Sequence, residues 1–160
     1  MTTDIYIDGG VIQSNPSIHG GTWAFIAGDM RKSGVVTPRM TGFPMVTNNY
    51  TELYAAVMAL EQMPDGWSGT IHTDSLITLR RLTYRKAKMN GIDEQLKMRL
   101  DLARHRLGKI KVLHVSGHPT KEELAAGKCT KGRPVSPLNV ECDKMCQVEA
   151  MRFLVARSEE

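Results

Sequence analysis

Within residues 48–61, Leu53, Ala56, Val57 and Leu60 recur at i, i+3, i+4 and i+7. That spacing is the buried stripe of an α-helix. It constrains the chain more than any other feature, because a helix with one apolar stripe needs a hydrophobic surface to pack on. Asn48 or Asn49 can cap the free backbone N–H groups at its start. The helix is expected over residues 48–63, stopped by the turn signal Pro64-Asp65-Gly66. Glu52 lies in the first turn, one position before the stripe begins. Two readings of it stay open at this point. Its carboxylate points toward the centre of the fold, or it is a surface residue favoured by the helix dipole.

Strand signals surround this helix. In residues 4–11, Ile5 and Ile7 alternate with Asp4, Tyr6 and Asp8, and Gly9-Gly10 lets another backbone or a ligand approach where Asp8 ends the strand. Residues 12–20 read as a loop, 21–29 as a second strand and 33–40 as a third, bounded by Gly34 and Pro38. The short connections predict an antiparallel meander. After the helix, residues 69–75 read as a buried strand that ends on Asp74, reached by a parallel crossover. Residues 76–82 read as a short helix, and 86–91 as a polar loop. Asp93 caps a further helix with the stripe Leu96, Leu100, Ala103 and Leu107, ended by Gly108. Residues 109–115 form another strand, with Ile110 and Val112 on one face.

Beyond Gly117-His118-Pro119, residues 119–138 read as a long loop, with a helical turn at 121–126. Loops of this length in a compact domain are usually functional. The last helix is expected over about residues 139–157. Val140, Met145 (or Lys144), Val148, Met151 and Val155 lie along its stripe.

A chain of 160 residues without repeat or linker reads as a single domain over 1–160. No apolar run approaches the roughly 18–20 residues that span a bilayer. The N-terminus lacks the layout of a signal peptide, and three cysteines clustered late argue against a disulfide framework. A cytoplasmic protein with no membrane partner is expected, and nothing suggests an obligate oligomer. The net charge is +4, unevenly spread: residues 80–111 carry eleven Lys or Arg against three acids, about +8. Such a segment suits a polyanion, although a solvated helical face also accounts for it.

Asp8, Glu52, Asp74 and Asp143 each lie at the end or near the beginning of a regular element. Carboxylates gathered on rigid elements repel one another unless cations sit between them. Hard divalent ions prefer such oxygens, and two ions about 4 Å apart can hold a scissile phosphate, activate a water and stabilise the leaving oxygen. A basic surface around an acidic, metal-loaded centre suits a phosphodiesterase acting on nucleic acid. Spacing alone does not bring the four carboxylates together.

The strings Tyr6-Ile7-Asp8-Gly9-Gly10, Thr47-Asn48-Asn49-Tyr50-Thr51-Glu52-Leu53, Thr73-Asp74-Ser75, Val115-Ser116-Gly117-His118 and Asn139-Val140-Glu141-Cys142-Asp143 follow one another in this order. Together they resemble the type 1 ribonuclease H family over nearly the whole chain. The resemblance implies an α/β fold of the ribonuclease H type: a five-stranded mixed sheet, three antiparallel strands then parallel ones, flanked by helices. It implies hydrolysis of the RNA strand of RNA–DNA hybrids to 5′-phosphate and 3′-hydroxyl ends. By the same likeness two Mg²⁺ ions, or Mn²⁺, bind. Asp8 bridges both, Asp143 completes the site of the attacking water, and Glu52 and Asp74 hold the ion near the leaving group. His118 matches the family's mobile histidine, which assists proton movement or product release.

Substrate contacts carry over likewise. Thr47, Asn48 and Asn49 match the string that touches phosphates and sugars, and Asn15 matches, with a one-residue gap, an asparagine that reads the RNA strand. The chain departs from the family in three places. Leu76 stands where a polar residue is common. The span from Asp74 to His118 is too short for the basic helix and loop that some members use as a handle. Arg80, Arg81, Arg85, Lys86 and Lys88 partly replace that handle. The gap from His118 to Asn139 is longer than usual, and its Lys121, Lys128, Lys131 and Arg133 are expected to fold over the bound hybrid.

Two other readings remain: another nuclease of this superfamily, of the resolvase or integrase type, and a non-catalytic hybrid-binding module. Cys142 and Cys146 at i, i+4, even with His114 and Cys129, fit no standard zinc spacing. The ten methionines read as core filling, and Trp23 and Trp67 as structural.

Overall fold

The computed structural model describes residues 2–128 and 132–159. Five strands, β1 (Asp4–Val11), β2 (Gly21–Ala27), β3 (Met30–Val36), β4 (Gly69–Thr73) and β5 (Ile110–His114), form one sheet in the order β3-β2-β1-β4-β5. The β1–β2 and β2–β3 pairs are antiparallel; β1–β4 and β4–β5 are parallel. This is the mixed sheet that the sequence predicts.

Among the described residues six helices accompany it: α1 (Pro38–Thr41), α2 (Asn48–Glu61), α3 (Leu76–Thr83), α4 (Glu94–Arg106), α5 (Lys121–Ala126) and α6 (Pro137–Ser158). The α2 stripe of Leu53, Ala56, Val57 and Leu60 is fully buried. It shares the main core with Ile5, Ile7 and Phe25 of the sheet, and with Leu96, Leu100 and Ala103 of α4. A smaller second core joins Ala24 and Ile26 of β2 to Cys142 and Cys146 of α6. Side chains alternate across strands, so successive residues of β2 feed the two cores in turn.

Several boundaries differ from the expected ones. β3 begins at Met30 and ends at Val36 rather than spanning 33–40. Gly28, at φ 61°, and Asp29 make a two-residue hairpin turn that pairs Ala27 with Met30. Pro38 instead opens the short α1. The N-cap of α2 is Thr47, not Asn48 or Asn49; its hydroxyl accepts from the Tyr50 amide at 3.1 Å. α6 starts at Pro137, because Ser136 caps it and proline suits the first helical position.

The inner face of α6 is the largest departure. Asn139, Cys142 and Cys146 are buried, whereas Val148, Met151 and Val155 of the expected stripe are 47%, 66% and 53% exposed. The inner residues are small or polar, and they meet the backbone of β1 as well as the side chains of Ala24 and Ile26. Asn139 Nδ2 donates to the Ile7 carbonyl at 3.0 Å, and the Cys142 and Cys146 thiols donate to the Tyr6 and Asp8 carbonyls at 3.5 and 3.7 Å. Methionines also divide. Met63 is buried, but Met40, Met45, Met98 and Met151 are exposed. Trp23 and Trp67 are buried, as expected.

Candidate active site

Asp8 is 4% exposed on the central strand. β1 pairs with β4 only over Asp4–Tyr6, so Asp8 lies where the two strands have parted. Its Oδ1 accepts the Gly9 amide at 2.9 Å. Gly9 is there because α2 abuts β1: a Cβ on Gly9 would stand 2.6 Å from the Glu52 nitrogen and 2.7 Å from the Thr51 carbonyl carbon. That approach places Glu52 against Asp8. Gly9→Ala is therefore expected to push α2 from β1 and cost about 1–3 kcal/mol, the usual penalty of overpacking. Chemical denaturation measures it; an unchanged midpoint would mean that this contact yields freely.

Glu52 is 2% exposed, which removes the surface-residue reading. Among the described residues its Oε2 has no hydrogen-bond partner. Asp74 follows the last residue of β4. One carboxylate oxygen from each of Asp8, Glu52 and Asp74 lies within 4.8 Å of the others. Burial pushes the Asp8 and Glu52 carboxyls well above their ordinary range. Asp74 raises Asp8 further, and Asp8 and then Asp74 raise Glu52. Burial also raises Asp74, while His118 opposes the shift. Three acids that disfavour their own ionisation, one with an orphaned buried oxygen, suit a divalent oxygen-seeking cation.

Asp143, in the second turn of α6, and Asp8 and Asp74 line one cavity of about 260 Å³. Asp143 is outside the tight three-residue group. Its Oδ2 accepts from Gln147 Nε2 at 2.9 Å and faces His118 Nδ1 at 3.8 Å. His118 has φ 47° and a side chain 81% exposed. Gly117 before it lets the loop pass over Asp74, since a Cβ there would meet Asp74 Oδ2 at 2.8 Å. Asn139 also lines the cavity, and its Oδ1 is buried without a partner among the described residues. Sequence reasoning gave Asn139 and Gly117 no role. The signal for Asn139 is its position four residues before Asp143, on the same face of α6.

The other candidates lie apart from these carboxylates or beside them in varied ways. Asn15 Oδ1 accepts the Asn48 amide at 3.1 Å, which joins the loop after β1 to the start of α2. Thr47 is exposed there, and Asn48 and Asn49 are half-buried. Arg80, Arg85, Lys86 and Lys88 are exposed around the end of α3. Arg81 is not: it is 7% exposed and turned inward, so the expected surface contact is corrected. Among the described residues no zinc group forms. Cys142 and Cys146 are buried, burial pushes both thiols far up, and His114 Nε2 lies 3.1 Å from the Asp74 carbonyl. Cys129 and Lys131 lie outside the described residues.

A ribonuclease H from Aeromonas salmonicida is 28% identical over 134 residues, covering 74% of this chain and 82% of that protein. The structure of a ribonuclease H1 isolated from compost by a metagenomic approach superimposes with TM-score 0.60 at 18% identity, over 96% of this chain and 99% of that one. Ribonuclease H1 from Halobacterium salinarum gives TM-score 0.60 at 17% identity, over 93% and 97%. An N-terminal ribonuclease H domain from Mycobacterium tuberculosis gives 0.62 at 12%, over 99% and 100%. The profile of the RNase H family matches residues 2–149, so this chain belongs to that family and is a ribonuclease H enzyme.

Proposed function

We propose that this enzyme hydrolyses the RNA strand of RNA–DNA hybrids, leaving 5′-phosphate and 3′-hydroxyl ends. The observation that carries the reading is the meeting of Asp8, Glu52 and Asp74 from three elements, with Glu52 Oε2 buried and unpaired among the described residues. In this reading Asp8, Glu52, Asp74 and Asp143 hold two divalent ions, Mg²⁺ or Mn²⁺. When bound, such ions supply the Lewis acidity and the acidified water that phosphodiester hydrolysis needs.

The chain's own residues do the rest. Asp8 groups with Glu52 and Asp74 and lines the cavity with Asp143, so it would hold the ions together with either set. Asp143, turned to the cavity and held by Gln147, completes the side of the attacking water. His118, at the cavity mouth 3.8 Å from Asp143, assists proton movement or product release. Thr47, Asn48, Asn49 and Asn15 contact the sugar-phosphate chain. The 2′-hydroxyl is the handle that marks RNA, so contacts to it set the strand choice. Arg80, Arg85, Lys86 and Lys88 add sequence-independent, salt-sensitive binding. The enzyme acts as a single-domain monomer in the cytoplasm. Among the described residues no helix is long and apolar enough to cross a membrane.

The deciding experiment is cleavage of an end-labelled RNA–DNA hybrid with Mg²⁺, beside RNA–RNA, DNA–DNA and single-stranded RNA. Cleavage of only the RNA strand of the hybrid is expected. Cutting of branched or duplex DNA instead would favour a resolvase-type nuclease. Hybrid binding in EDTA with no cleavage in Mg²⁺ or Mn²⁺ would favour a binding module.

The loop after His118 belongs to the same surface. Its backbone is tied at the base, where the Ser116 amide donates to the Pro134 carbonyl at 2.9 Å and Val135 to Gly127 at 3.1 Å. Lys121, Lys128 and Arg133 lie on it. Deleting residues 122–134 should raise KM for the hybrid about tenfold, as loss of several phosphate contacts does. An unchanged KM would remove the loop from the binding surface.

A further inference from the structure

Residues 84–92 link α3 to α4 and carry Arg85, Lys86 and Lys88, all exposed, as is Arg80 at the end of α3. Arg81, next to Arg80, turns the opposite way. Its Nε donates to the Lys88 carbonyl at 3.2 Å and its Nη2 to the Asn90 carbonyl at 3.1 Å. Nη1 is buried without a partner among the described residues. From the other flanking helix, Arg104 donates to the carbonyls of Arg81 and Leu82. Arg81 thus holds the turn itself, and Arg104 holds the end of α3 that leads into it.

A buried guanidinium is costly unless it does something that a neutral side chain cannot. Burial indeed pushes the Arg81 group down from its ordinary pKa. What the guanidinium does here is geometric. The carbonyls of Lys88 and Asn90 are two residues apart, and only a rigid fork with several fixed N–H groups meets both from one side chain. The result is a cavity of about 390 Å³ rimmed by Arg80, Tyr84 and Lys88. Arg80, Arg85, Lys86 and Lys88 are exposed cations with no acid between them in the chain, a local charge that suits a polyanion.

We propose that Arg81 is a positioning residue for substrate binding: its fork fixes the Lys88 and Asn90 carbonyls, so that Arg80, Arg85, Lys86 and Lys88 present one preformed cationic face to the phosphates of the hybrid. Preforming that face removes the ordering cost that a loose basic loop carries into the complex. The proposal rests on the hybrid reading given above for the substrate. It differs from direct contact, because Arg81 has no exposed charge to offer.

The test compares Arg81→Lys, Arg81→Gln and Arg85→Gln with the wild type. It uses hybrid cleavage at several salt concentrations and amide hydrogen exchange over residues 84–90. Lysine at 81 keeps the charge and the stem but not the fork. Arg81→Lys should raise KM about tenfold, leave kcat within about twofold and flatten the salt dependence, as lost phosphate contacts do. Exchange over 84–90 should quicken in the same variant, while Arg85→Gln raises KM with exchange unchanged. Should Arg81→Gln fail to fold, the Lys variant carries the comparison. Wild-type KM in Arg81→Lys, with or without faster exchange, overturns the proposal. Lack of hybrid cleavage by the wild type is a separate result that overturns the substrate reading, and the exchange measurement reads the Arg81 grip regardless.

Discussion

Asp8→Asn is expected to lower cleavage of an RNA–DNA hybrid by at least about 10³-fold, since in the function proposed above it removes a carboxylate that would hold the divalent ions. Asp8 interacts electrostatically with Asp74 and Asp143 and lies against Glu52, so its loss touches every member of the acidic group. The same substitution should make the metal-free protein more stable. Asp8 is 4% exposed between other acids, and ionising it there is costly. An amide of the same shape removes that cost, and the gain should raise Tm by about 3 °C or more, the shift that roughly 1 kcal/mol gives in a domain of this size. Loss of activity together with higher stability separates a functional carboxylate from a structural one. Retained cleavage would refute the assignment of Asp8, and a lower Tm would mean that its carboxylate supports the fold.

Metal-free stability should fall as pH rises, and divalent ions should reverse the trend. Asp8, Glu52 and Asp74 all have carboxyls raised above their ordinary values of 3.8, 4.5 and 3.8. In the unfolded chain these groups lose their protons near those values, whereas in the folded protein they hold them to higher pH. Above about pH 4 the native state therefore binds more protons, and stability declines until the raised values are passed. A divalent ion binds the ionised form and competes with those protons. Saturating Mg²⁺ or Mn²⁺ at 100 times its dissociation constant adds about 2.7 kcal/mol. The added stability should be largest near pH 8 and vanish toward pH 4. Thermal melts of wild type and Asp8→Asn across that range, with EDTA or Mg²⁺, isolate the contribution of the cluster from other titrating groups. A Mg²⁺ shift of equal size at pH 5 and pH 8 would place the ion away from these carboxylates.

The elements legible in the sequence are those whose signal is local. The α2 stripe of Leu53, Ala56, Val57 and Leu60 is apolar throughout, and Asp93 caps α4 through its side chain, accepting from the Leu96 amide at 3.1 Å. The misread features depend on what lies opposite. The β3 register turns on Gly28-Asp29, two residues that look like the tail of a strand until the chain reverses there. The cap of α2 passes to Thr47 because the hydroxyl one residue earlier reaches the Tyr50 amide. On α6, hydrophobicity picks out Val148, Met151 and Val155, yet the face that packs carries Asn139 and two cysteines, because it bonds to the carbonyls of β1 while it packs on Ala24 and Ile26 of β2. Arg81 looks like its neighbour Arg80, and only the path of residues 84–92 turns it inward. At the site, sequence supplies the four acids and their order. The approach of Glu52 to Asp8 comes from the missing side chain of Gly9, a contact between residues 43 positions apart in the chain.

The seam between α6 and β1 has a chemical consequence. Cys142 and Cys146 have their sulfurs on the Tyr6 and Asp8 carbonyls, and burial keeps both as thiols rather than thiolates. Only the thiolate attacks an alkylating agent or an oxidant, so both sulfurs are silent while the seam is closed. The contact that silences them is the one that sets Asp143 across from Asp8. Any reagent that reaches these sulfurs has met a molecule in which α6 has already left β1 and Asp143 has left Asp8, so sulfur damage at this seam follows the opening of the fold rather than causing it.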